Sequence, residues 1–231
     1  MFRPIAVGTS LAASVARLGA GLKVGKLGPR PTDTIELYDF EGCPFCRKAR
    51  EAFTMLDLEA MVYPCPPGGK RYRPTVRKLG GKEQFPYIVD PNTNTRMFES
   101  DEIVDYLYAT YGAGSPPLSL RLGPVTNATS FLATAVRPLN GRSCVPSKAP
   151  KKPLELWSFE ASPFCRLARE ALCELELPYL VHNVAKGSPG REAFVRRSGK
   201  MMVPYLVDPN TGEEMFESGD IVAYLYATYA R

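Results

Sequence analysis

Ile35-Glu36-Leu37-Tyr38 alternates apolar and polar side chains, the period of a half-buried strand. A turn follows, and Pro44 then stands at the first position of a helix, where its missing N–H costs nothing. The pattern predicts that helix to about Leu56, with Ala49, Ala52 and Phe53 turned inward. A second strand is expected over Met61–Tyr63 and a shorter helix over about Tyr72–Leu79. Tyr87–Val89 and Arg96–Phe98 read as a hairpin around Asp90-Pro91-Asn92-Thr93-Asn94. Ser100 is expected to cap a last helix, with Asp101 and Glu102 in its first turn and an apolar stripe of Ile103, Val104, Leu107, Tyr108 and Tyr111.

The whole succession then returns. Residues 154–230 repeat 35–112, with Cys165 in register with Cys46 and Glu217 with Glu99, so one residue is lost between the copies. Asn94 becomes Gly212, and these are the two residues that best tolerate a left-handed backbone, which supports a tight turn there. The difference that matters most for chemistry is a single atom. Cys43-Pro44-Phe45-Cys46 in the first is Ser162-Pro163-Phe164-Cys165 in the second. Four segments follow: 1–34, a basic pre-helix and lead-in; 35–112, the first domain; 113–153, a linker and second pre-helix; 154–231, the second domain. Each domain is long enough to bury its own core.

Composition is that of a globular chain, 45% hydrophobic and 23% charged, and no apolar run approaches the roughly 20 residues that span a bilayer. The net charge of +5 sits before the repeats: residues 1–34 carry five basic side chains against one acid, and 113–153 carry six against none. That suits an acidic partner protein complex or an anionic membrane surface, or is simply solvated linker charge. Lys and Arg do not alternate with aromatics, so nucleic acid is not expected. Six cysteines in 231 residues make no disulfide scaffold and point to a reducing compartment with one redox pair.

Each repeat runs βαβ then ββα, with its motif on the first strand-to-helix turn. With Phe85-Pro86-Tyr87 (Val203-Pro204-Tyr205), the hairpin and Phe98-Glu99-Ser100 (Phe216-Glu217-Ser218), it resembles glutaredoxins and the N-terminal domain of glutathione transferases. The resemblance covers about two thirds of the chain and implies an α/β fold of two tandem thioredoxin-like domains. The Glu-Ser pair leans towards transferases and Cys-Pro-Phe-Cys towards glutaredoxins, a mixture also seen in the membrane-associated prostaglandin E synthase. The long helical domain of full transferases is missing. Overall the chain resembles tandem transferase-N-domain proteins of plants, algae and cyanobacteria, several of them plastid proteins, which implies a chloroplast location, the alternative being cytoplasmic.

Cys43, just before a helix, is where free N–H groups and the helix dipole favour a thiolate, and Cys46 one turn on can resolve a mixed disulfide; Arg47 and Lys48 add positive charge. Two alternatives stay open: half a zinc site, although zinc needs four ligands and the only histidine, His182, lies in the other repeat, or two inert buried thiols. No metal is expected, though a [2Fe–2S] cluster bridging two such domains is a minor option. The resemblance implies glutathione as co-substrate, with Pro86 and Pro204 cis and the residues before them, Phe85 and Val203, offering backbone to its cysteinyl unit. It likewise implies that Glu99-Ser100 and Glu217-Ser218 hold the γ-glutamyl group. Ser162 cannot form a disulfide, so it either hydrogen-bonds a glutathione thiolate or marks a degenerate domain kept for packing. Cys65 reads as exposed and oxidisable, and Lys70–Lys78 as a solvated basic face.

The functional expectation is therefore a glutathione-linked thiol–disulfide oxidoreductase acting on protein disulfides through Cys43 and Cys46. The alternative is a non-catalytic interaction protein serving organellar assembly or repair. Residues 1–32 contain no acid and read as a transit peptide, yet Thr9–Arg17 resembles Thr129–Arg137 at a matching distance before its own core. A recurring segment favours short structural helices near 8–17 and 128–137, packed beside their own or the neighbouring repeat.

Overall fold

A computed structural model describes Gly8, Ser10, residues 20–121 and residues 141–231. The helices expected near 8–17 and 128–137 lie outside the described residues except at Gly8 and Ser10.

The first repeat is β1 (Ile35–Asp39), α1 (Pro44–Met55), β2 (Ala60–Pro64), α2 (Arg73–Gly80), β3 (Tyr87–Asp90), β4 (Thr95–Met97) and α3 (Ser100–Tyr111). After the one-turn α4 (Leu118–Arg121), the second repeat is β5 (Leu154–Ser158), α5 (Pro163–Glu174), β6 (Tyr179–Asn183), α6 (Arg191–Ser198), β7 (Tyr205–Asp208), β8 (Glu213–Met215) and α7 (Ser218–Tyr229). These elements form two tandem thioredoxin-like domains of α/β class.

Local chemistry explains the boundaries. Pro44 and Pro163 open α1 and α5, and both helices stop where Asp57 and Glu176 turn left-handed, at φ 54° and 48°. Leu58 N–H then returns to Phe53 carbonyl and Leu177 N–H to Leu172, each at 2.9 Å, closing the frayed ends. The hairpin turns pass through Asn94 at φ 55° and Gly212 at φ 82°, as the Asn-to-Gly exchange predicts. Each hairpin is tied to its last helix by one carboxylate. Asp90 accepts from Tyr106 and Tyr111, both at 2.6 Å, and Asp208 does the same for Tyr224 and Tyr229. The helix stripe is buried as predicted, but Ser100 is not the cap: Glu99 occupies that position at φ 66° with no side-chain capping bond, and Ser100 is the first helical residue. Glu217 and Ser218 repeat this arrangement.

The eight strands make one sheet in the order β4-β3-β1-β2-β6-β5-β7-β8, which reads the same from either end. β2 would be an exposed edge in a lone repeat; here it pairs antiparallel with β6, Met61 opposite Leu180. One apolar cluster runs under both halves, from Ile35, Leu37 and Ile103 to Leu154, Leu206 and Ile221, so the core is shared rather than divided between the repeats. Two smaller aromatic clusters, one per repeat, hold Tyr38, Phe85 and Tyr87 in the first and Trp157, Phe194 and Tyr205 in the second. No helix among the described residues is long and apolar enough to cross a membrane.

Candidate functional site

The turn after β1 brings Cys43 to the N-cap of α1, where its Sγ accepts the backbone N–H of Cys46 at 3.2 Å. Sγ also lies 4.0 Å from the carbonyl oxygen of Phe85, at the cis peptide to Pro86. The thiols titrate in opposite directions. Burial pushes Cys43 up, but the Cys46 thiol, the Cys46 N–H and the Arg50 charge outweigh it and hold Cys43 below the ordinary cysteine value. Burial drives Cys46 well above that value, and the hydrogen bond to Cys43 adds to the rise. Both are free thiols, and Cys43 is only 4% exposed.

Around this pair, the Arg73 guanidinium sits 4.7 Å over the Phe85 ring, and Gln84 Nε2 bonds the Glu99 carboxylate. Cys43, Cys46, Phe85 and Pro86 therefore meet directly, and Glu99-Ser100 joins them through Gln84. The cations expected beside the thiols act elsewhere. Lys48 is fully buried and pairs with Asp101 at the start of α3, and Arg47 is buried beside the boundary between the repeats. Cys65 is fully buried as well, correcting its expected exposure. Within Lys70–Lys78, Arg71 is no solvated cation: it crosses to the carbonyls of Leu175 and Ser147 at 3.2 and 3.0 Å.

In the second repeat Ser162 Oγ caps α5 by accepting Cys165 N–H at 3.2 Å, the bond that Cys43 makes in the first. Val203-Pro204 is also cis, and Glu217 shares the φ of 66°. The surroundings are poorer in polar links. Met202 stands where Gln84 would reach Glu217, and Leu167 and Gly219 replace Lys48 and Asp101.

The part the sequence reading missed lies between the repeats. Arg50 bonds Asp39 in its own repeat and, from Nε, Glu160 in the other at 3.0 Å. Arg169, its equivalent, donates to Glu41 at 3.0 and 3.2 Å and pairs with Glu160 at 2.8 Å. Burial pushes Glu160 up, but Arg169 and Arg50 hold its carboxyl at about 2. Asp39, which shares Arg50 with two other carboxylates, is carried by burial to about 6. The turns are cross-braced too: Thr54 Oγ1 accepts Glu160 N–H at 3.3 Å, and Cys173 Sγ, its counterpart, lies 3.4 Å from Glu41 N. The lead-ins cross over as well. Gly42 N–H donates to Gly141 carbonyl at 3.2 Å, and Ala161 N–H to Gly21 at 3.3 Å. Ser10 Oγ donates to Pro163 carbonyl at 2.9 Å, so the described residues of each lead-in bond the motif turn of the other repeat. The signal for this was the recurrence of Arg47/Arg166, Arg50/Arg169 and Glu41/Glu160, charged positions on helix faces that a core should occupy. A cavity of about 30 Å³ beneath the braces is lined by Arg50, Glu160 and Arg169, water-sized rather than substrate-sized. Among the described residues no group of three or more His, Cys, Asp or Glu could hold a metal ion.

The family described as glutathione S-transferase, N-terminal domain, matches the chain twice, over residues 37–116 and 156–231. None of the curated proteins matches. The solved structure of a trimeric glutathione transferase from Leishmania is 16% identical, over 87% of this chain and 68% of that one, with a TM-score of 0.31, a likeness that carries no argument.

Proposed function

The chain belongs to the glutathione S-transferase N-terminal domain family, and from that membership we propose a glutathione-linked thiol–disulfide oxidoreductase whose working dithiol is Cys43–Cys46. The observation that carries it is the split between the two thiols. Cys43, at the N-cap of α1 with its sulfur accepting the Cys46 N–H, is held below the ordinary cysteine value while Cys46 is pushed above it, the division of labour a nucleophile and its resolver need.

Cys43 thiolate attacks one sulfur of a glutathionylated or disulfide-bonded protein; a Cys43–S–S bond forms and the other sulfur departs as thiolate. Cys46 then attacks Cys43, releasing the second thiolate and passing its own proton to a departing sulfur. Two glutathiones reduce the Cys43–Cys46 disulfide and leave as glutathione disulfide, so the electrons balance. The Phe85 backbone before cis-Pro86 would pair with the cysteinyl unit of glutathione, and Glu99-Ser100 would receive its γ-glutamyl end. In the second repeat Ser162, Val203, Pro204, Glu217 and Ser218 keep the binding outline without a redox thiol at the cap. On this reading the second repeat is degenerate for chemistry, and its remaining role is to bind glutathione or to brace the first. The basic lead-ins would favour an acidic protein complex or an anionic membrane face, and the proposed location is the chloroplast.

One observation favours the second reading, a non-catalytic tandem interaction protein: Cys43 is 4% exposed, next to the Gly42 N–H that bonds Gly141 of the crossed lead-in. Glutathione titration together with reduction of a glutathionylated peptide, on the unaltered chain and on Cys43→Ser, decides between them. Turnover lost in Cys43→Ser supports the enzyme. Neither binding nor turnover in the unaltered chain removes it and leaves the interaction protein.

A further inference from the structure

We propose that Arg47 and Arg166 together hold one small inorganic anion, a halide or an oxyanion of sulfate size, where the two repeats meet. The two arginines occupy the same position of α1 and α5, four residues after Cys43 and Ser162. Each is only 2% exposed. Among the described residues, the buried side-chain nitrogens without a hydrogen-bond partner are Nε and Nη1 of Arg47 and Nε of Arg166. Unmet donors concentrated on one symmetry-related pair point to a missing acceptor, because the other buried guanidinium groups among the described residues, Arg50 and Arg169, are satisfied.

No carboxylate, Glu51 on the next turn of α1 included, lies within hydrogen-bond reach of these three nitrogens. Glu41 and Glu160 are shared between Arg50 and Arg169, and the nearest approach to Arg166 Nε is Glu41 Oε1 at 3.8 Å. Arg166 spends Nη1 on Ser10, whose Oγ it meets at 3.0 Å, leaving Nε bare. Glu160 Oε1 is itself buried without a donor, so it lies beyond hydrogen-bond reach of these nitrogens. After burial, the strongest influence on the Arg166 guanidinium is the like charge of Arg47, which the Glu160 and Glu41 carboxylates offset in part, so the two guanidinium groups lie near one another. Water would fill the space but leave that repulsion. An anion removes it and accepts from both planar forks at once. Because the two arginines come from different repeats, the anion would be a joint between them, independent of glutathione chemistry.

The test melts the full chain at one fixed ionic strength in sodium chloride, sodium sulfate and sodium gluconate, whose anion is much bulkier than the other two. The expected result is a melting temperature that rises saturably with chloride or sulfate over gluconate, and a response lost in Arg47→Met. Equal melting in all three salts, or an unchanged response in Arg47→Met, overturns the proposal. Should Arg47→Met fail to fold, crystals of the unaltered chain grown with bromide give the second reading. An anomalous peak within hydrogen-bond reach of both guanidinium groups supports the site, and water alone there overturns it.

Discussion

Arg169, in the first helix of the second repeat, grips both oxygens of the Glu41 carboxylate in the first, at 3.0 and 3.2 Å, with both side chains buried. Arg50 returns the contact to Glu160, so the repeats are joined by reciprocal buried ion pairs as well as by the β2–β6 ladder. Cutting one partner of such a pair strands a charge, at a cost of about 3–5 kcal/mol, whereas replacing both with apolar groups is often nearly neutral. Arg169→Met should therefore lower the unfolding free energy by about that amount, and adding Glu41→Leu should recover part of it. Urea unfolding of both variants checks this. A single variant within about 0.5 kcal/mol of the unaltered chain would show the pair to be idle, as surface substitutions usually are.

Strands and helices were legible because each is written in a local pattern: alternation in Ile35–Tyr38, Pro44 at a helix start, the Asn94-to-Gly212 exchange at the hairpin turns; the cis bonds at Pro86 and Pro204 followed from the family resemblance instead. The continuous sheet was not legible. Nothing in β2 taken alone says whether Met61 faces water or Leu180, because an edge strand and a paired strand share the same alternation. The thiol pair was visible in Cys43 and Cys46, but its electrostatics were not. Arg50, seven residues away, rather than Arg47 or Lys48, is the cation that lowers Cys43. Ser100 was misplaced by one residue because Glu99 holds an unusual backbone that sequence preference does not foretell.

Cys43 should be the faster thiol to alkylate, with a rate that reaches its plateau below the pH of free cysteine, since its thiolate accepts the Cys46 N–H. Cys46→Ser should keep that reactive thiol, and Cys43→Ser should abolish it. Iodoacetamide rates against pH on the three proteins give the answer. Reaction at Cys46 first would reverse the proposed roles.

His182 also links the two repeats. Its ring stacks on Trp157 at 4.2 Å, and its nitrogens meet Glu59 of the first repeat at 2.6 Å and Glu155 at 3.0 Å. Burial works against its charge, but the hydrogen bonds and charges of Glu59 and Glu155 prevail and raise its pKa. A raised folded pKa means the stabilisation is complete below the unfolded value near 6.5 and is lost as pH climbs through the folded value. The stability difference between the unaltered chain and His182→Gln should thus be largest below pH 6.5 and shrink above it. Chemical denaturation across that range tests the sign; a difference that grows with pH contradicts it.

Gly141 offers the sharpest control over the candidate dithiol. It has φ 66°, and its carbonyl takes the Gly42 N–H next to Cys43. A Cβ there would meet the Glu41 Cβ at 2.8 Å, backbone-anchored and unable to swing away, in a conformation that strains any non-glycine residue by about 1–3 kcal/mol. Gly141→Ala should lift the crossed lead-in from the first motif turn and raise Cys43 alkylation several-fold, with a modest loss of stability. Gly21→Ala makes the matching collision with Glu160, at 2.9 Å, over the second turn, where Ser162 stands in place of a thiol. Its destabilisation should be similar, but Cys43 reactivity should hardly change. If both variants expose Cys43 equally, the effect is general loosening of the seam; if neither does, the lead-in does not guard the thiol.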